Sequence, residues 1–159
     1  MTKSGFVNTL RIIWFALIQG VMMASAIFWF ISDGKKDGSE ILSYIGAGVG
    51  GVAVVMHVVV PLILRASAVR SVNKTAFEDT PDDEKWQMFA GPYRAGEIVA
   101  LAMLEGAAFV NLLMWYLSGA DLSLIILGAL VALMFIRCPT VGKLDRWIET
   151  QCQLMQLKT

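Results

Sequence analysis

The sequence holds a single histidine, His57, and two cysteines, Cys138 and Cys152, in neither a metal-binding nor a CxxC spacing. That argues against a zinc cluster and against a secreted disulfide scaffold, and both cysteines are expected as free thiols. Charge is scarce as well. Only 16% of the residues are charged, against about 25% in ordinary soluble domains. The 13 basic and 13 acidic residues cancel, and no basic patch argues for nucleic acid. Nucleophile elbows, phosphate-binding loops and metal-ligand clusters are also missing. The expectation is a non-enzyme with no metal and no cofactor.

What is abundant is apolar surface. Hydrophobic residues make up 57% of the chain and the mean hydropathy is +0.64. Apolar runs lie at about residues 10–31, 41–64, 97–117 and 122–136. Crossing a bilayer takes about 20 residues, so the first three are long enough and the fourth is short. The first run has Lys3 ahead of it and small residues at Ala24-Ser25-Ala26, as a signal peptide would. It continues through Ile27-Phe28-Trp29-Phe30-Ile31, however, which is too long for a cleaved segment, so a retained helix is expected. Four crossings put both termini on one side. One face then holds only Lys35 and Lys36, while the other holds every remaining basic residue, from Lys3 to Lys158. The positive-inside rule places the termini and the loop at residues 65–96 in the cytoplasm of a multi-pass cell-membrane protein.

Two shorter pieces carry helical signals. Thr80-Pro81-Asp82-Asp83 reads as an N-cap, a first-turn proline and first-turn acids, predicting a short interfacial helix through Trp86, Met88 and Phe89 that stops at Gly91-Pro92. At the other end, Thr140 can cap a helix over residues 140–157, with Val141, Leu144, Ile148, Cys152 and Met155 along one face. An amphipathic helix of this kind is expected on the cytoplasmic surface or against a partner.

The two halves resemble each other. Ile12 to Ser32 aligns without gaps on Ile98 to Ser118, matching Gln19-Gly20 with Glu105-Gly106 and Trp29 with Trp115. In the second helices Gly50 falls on Gly128 and Pro61 on Pro139. The expected architecture is all-α: two similar hairpins in one membrane domain, repeated about an axis along the membrane normal.

Glu105 stands out as an acid within the third apolar run, and an ionisable group at that depth is a functional candidate. Gln19 is nine residues into its helix, Glu105 eight into its own, and His57 seven before the end of its own. The three therefore lie within roughly 3 Å of one level. Ser25 and Asn111 form a second matched pair nearer the outside. His57 shares a helix face with Gly46, Gly50 and Ala53, small residues that let helices approach closely. A buried carboxyl favours its neutral form and a neighbouring imidazolium favours the charged one, so Glu105 with His57 and Gln19 could bind and relay a proton. The same three residues could instead be hydrogen-bonded glue between helices. Arg137, at the end of the fourth run, is read as snorkelling to the interface.

Tyr44-Ile45-Gly46-Ala47-Gly48-Val49-Gly50-Gly51 and Ala100 to Phe109, with Glu105 inside it, resemble the two helices of the proteolipid (c-subunit) family of rotary ATP synthases and vacuolar-type ATPases. The resemblance implies a ring-forming hairpin whose helix-borne carboxyl, here Glu105 with Gln19 as helper, carries a proton or sodium ion. The chain departs from that family in its long middle loop, in Val52, Val54, Val55 and His57 interrupting the glycines, and in placing the carboxylate in its third helix. The combined expectation is a non-enzymatic subunit of a homo-oligomer or larger membrane complex in the lipid bilayer, with ion or proton translocation as the alternative.

Overall fold

The structure, a computed structural model, describes residues 2–32, 40–70, 72, 74–81 and 84–156. Among them are six helices and no strand: α1 (Lys3–Ile31), α2 (Glu40–Arg70), α3 (Lys74–Asp79), α4 (Lys85–Ser118), α5 (Asp121–Ile136) and α6 (Val141–Gln156). α1, α2 and α4 are long and apolar enough to cross a membrane. α5 and α6 join at a 70° bend and make a fourth candidate if counted together. The expected turn at residues 33–39 lies outside the described residues.

The local reasons for the helix ends are visible. Thr2 caps α1, its hydroxyl accepting from the Gly5 N–H, which lets the helix start at Lys3 rather than Leu10. Gly119 ends α4 with φ at 70°, a left-handed turn whose N–H returns to the Trp115 carbonyl. The expected break at Gly91-Pro92 is absent. α4 runs straight through Pro92 for 34 residues, about 51 Å, so it outreaches a hydrocarbon core of about 30 Å. A proline costs a helix one hydrogen bond, and here its neighbours Phe89 and Tyr93 are buried to 0% and 3% exposure in an aromatic cluster that holds the helix together. Thr80 is not the cap expected of it: its hydroxyl donates back to Ala76, and Glu84 precedes α4 without a side-chain cap. Asp82 and Asp83 lie outside the described residues.

α4 is the central helix. It packs on α1, α2 and α5. α1 and α4 run the same way, with Phe6 against Trp86, Gly20 against Glu105 and Trp29 stacked on Trp115 at 5.7 Å. Matched residues of the aligned halves therefore meet in space at the tryptophans. α2 runs against α4, with Arg65 at Glu97, Gly46 at Asn111 and Ser43 at Ser118.

Two cores result. One, along the apolar spans, gathers Val21, Ala53, Leu101, Leu104, Ala108, Leu112, Leu130 and Met134. The other, at one end, gathers Phe6, Val7 and Leu10 of α1, Phe77 of α3, Trp86, Phe89 and Tyr93 of α4, and Leu144 and Ile148 of α6. The amphipathic face of α6 is thus covered by its own chain.

Candidate functional site

Charge inside the molecule is concentrated where the two cores meet. α4 buries one face through Tyr93, Glu97, Ala100, Leu104, Ala108 and Asn111, at three- and four-residue spacing. Glu97 is 7% exposed and lies between two arginines. Its Oε1 accepts from Nη2 of Arg65 in α2 at 2.5 Å, and its Oε2 is 3.5 Å from Nε of Arg137, which follows α5. The Arg65 guanidinium sits 4.7 Å from the Tyr93 ring centre and 5.6 Å from that of Trp147 in α6. The carboxylate thereby ties α2 and α4 to the end of α5, and Arg65 carries the tie on to α6.

Two further residues make room for this network. A side chain on Gly96 would place its Cβ 2.7 Å from Nε of Arg65, so glycine is needed for the guanidinium to approach α4. Pro61 has no N–H to offer the carbonyl four residues earlier, that of His57. Nη1 of Arg137 fills the gap, donating to the His57 carbonyl at 2.5 Å. Arg137, read from the sequence as snorkelling, is held inward by these contacts. Two cations on one carboxylate leave a net positive charge in a mostly buried place, which is costly. Charge-assisted hydrogen bonds and the faces of Tyr93 and Trp147 offset that cost.

The glycine face of α2 meets a second polar contact, deeper in the spans. Asn111, fully buried, donates from Nδ2 to the carbonyls of Gly46, at 3.0 Å, and Ala107, at 2.9 Å. A Cβ on Gly46 would lie 2.7 Å from Oδ1 of Asn111, and one on Gly50 would lie 2.8 Å from Ile126 of α5. Ala53 is 8% exposed in the same core.

Gln19, His57 and Glu105 are not brought together. Glu105 is half-buried at the seam of α1 and α4, where a Cβ on Gly20 would be 3.6 Å from its Oε1. It has no ion pair or hydrogen bond among the described residues. Gln19 points outward from α1 and reaches only the sulfur of Met23, at 3.9 Å. The His57 ring turns back on its own helix, Nδ1 lying 2.5 Å from the Val54 carbonyl. Ser25 bonds the Val21 carbonyl of its own helix.

Sequence reasoning missed Glu97, which it took as the first residue of a span, and Arg65, Tyr93 and Trp147. A signal was present: an acid four residues after a tyrosine at the edge of an apolar run, with arginines ending two other runs. No protein family, curated protein or solved structure matches the chain.

Proposed function

We propose that the chain is a non-enzymatic integral membrane protein, a structural or accessory subunit of an oligomeric assembly in the cell membrane. In this reading α1, α2 and α4 cross the bilayer, α5 makes the fourth crossing, and the chain forms two hairpins. The ion network, α3 and α6 lie on the cytoplasmic side, where the distribution of Lys and Arg puts them.

The observation that carries the proposal is the unequal fate of polar groups along the spans. Glu97 and Asn111 have partners inside the chain. Gln19 and Glu105, on the α1 side, have none beyond the weak sulfur contact of Gln19. From Gln19 onward the outer face of α1 is apolar, with Met22, Met23 and Ile27 all more than half exposed. An amide facing hydrocarbon gains most by bonding to another helix. A partner helix against α1 would supply that bond, and a second copy could do so with its own Gln19. Mass measurement in native-membrane discs tests this. An oligomer that Gln19→Leu disperses and Glu105→Gln preserves supports the reading, and a monomer throughout contradicts it.

The half-exposed, unpaired state of Glu105 favours one second reading, proton or ion translocation through that carboxyl, in line with the proteolipid-like stretch around it. Glu105→Gln discriminates between the two readings: it abolishes proton flux in reconstituted vesicles if the second holds, and leaves assembly intact if the first does.

A further inference from the structure

The last carbonyls of a helix have no partner within it. The final carbonyl of α5, that of Ile136, and two in the connector that follows it are met by two cations from elsewhere. Nζ of Lys143 donates to the carbonyls of Ile136 and Cys138, both at 3.0 Å, and Nε of Arg11 donates to that of Pro139, also at 3.0 Å. Lys143 comes from the first turn of α6 and Arg11 from α1, so two helices deliver charge to one short connector. Both residues are exposed and neither makes an ion pair among the described residues. Neighbouring acids are already engaged: Asp145 with Lys3 at 2.8 Å, and Glu97 between Arg65 and Arg137. Arg11 uses only its Nε here, which leaves its terminal amino groups free to bind an anion.

Directly beside these cations the surface turns apolar. Ile12 and Phe15 of α1 are 70% and 60% exposed, and Phe135 and Ile136 of α5 are 52% and 72% exposed. Trp14, bonded through its indole N–H to the Met134 carbonyl and edge-on to Phe135, holds α1 against α5 at this level. The order is positive charge at the rim and bare hydrocarbon next to it.

We propose that this surface is a docking site for an anionic phospholipid. The headgroup phosphate binds Arg11 and Lys143, and the acyl chains lie along Ile12, Phe15, Phe135 and Ile136. The charge and the apolar patch are complementary to that one amphiphile in the order in which they occur, and basic sites between helices at a membrane surface bind such headgroups. The proposal rests on the reading of the chain as a membrane protein, but not on its oligomeric state or on any transport.

The full chain, reconstituted in discs of equal phosphatidylglycerol and phosphatidylcholine and released into mild detergent, is read by native mass spectrometry for retained lipid. Phosphatidylglycerol is expected to be retained roughly tenfold over phosphatidylcholine or more, from two cations near the surface. Equal retention overturns the proposal without any variant being needed. The thermal midpoint should rise with phosphatidylglycerol and not with inorganic phosphate. An equal rise with phosphate would mean a free-anion site and overturn the lipid assignment. Arg11→Gln combined with Lys143→Gln should abolish the preference, whereas Arg146→Gln, on the exposed side of α6, should keep it. Equal loss in both would reduce the site to diffuse charge. Extraction of the protein from its membranes by alkaline carbonate would instead sink the membrane reading, and is scored separately.

Discussion

α4 is held in two different ways along its length. From Trp86 to Glu97 its neighbours are aromatic rings and arginines: Phe6, Phe77, Trp147, Arg65 and Arg137. From Ala100 to Met114 they are glycines, small side chains and aliphatics, with one buried asparagine clamped on Gly46, before the ring pairs Trp29–Trp115 and Phe28–Tyr116 close the far end. On the membrane reading proposed above the first region lies outside the hydrocarbon core, so burying Phe89 and Trp86 there removes apolar area from water at about 25 cal/mol per Å². The second region lies among the apolar spans. In lipid, aliphatic contacts gain little from the hydrophobic effect, and close fit and hydrogen bonds hold helices together instead. On the proposed membrane reading, one helix uses rings and charge where water is the competitor, and small residues in mid-span where lipid is.

The largest effect should come from removing the carboxylate that joins the regions. Glu97→Gln leaves Arg65 and Arg137 buried without a counter-ion and should cost about 3–5 kcal/mol, as for other broken buried pairs. Unfolding in a mild-to-denaturing detergent titration measures it, and earlier protease cleavage of α6 should accompany it. Next, Gly46→Ala forces a Cβ to within 2.7 Å of Asn111 and should cost about 1–3 kcal/mol. The matched Gly48→Ala, with nothing within 4 Å, should stay within about 0.5 kcal/mol. If the two glycines behave alike in the same titration, the close-fit account of the span core is broken. The smallest effect is expected at the exposed pair Lys3–Asp145, whose side chains are 41% and 36% exposed. Lys3→Ala should cost about 0–1 kcal/mol and lose that cost in high salt, whereas the cost of Glu97→Gln should change little with salt.

The spans were legible because an apolar run long enough to cross a bilayer is seldom found in a chain that stays in water. α6 was legible because its apolar residues fall on one face. The end core was not legible. Phe6, Phe77, Phe89 and Leu144 come from four helices, and nothing local says that they meet. Glu97 was hidden for a related reason: a sequence gives the depth of a residue along a helix but not the direction in which the helix faces. The same ambiguity set Gln19, His57 and Glu105 at one level in the sequence, while in the structure they point three ways. Pro61 shows the gain from reading backbone chemistry. Its missing N–H marks the His57 carbonyl as open, and Arg137 occupies it.

The central claim is that Glu97 is sealed inside the chain as an ionic tie while Glu105 is left open for something outside it. Labelling native membranes with a lipid-soluble carbodiimide, and reading both carboxyls by mass spectrometry in the same digest, tests it most directly. The account predicts modification at Glu105, none at Glu97, and loss of the Glu105 adduct in Glu105→Gln. Modification of Glu97, or protection of Glu105 to the same degree, would contradict it.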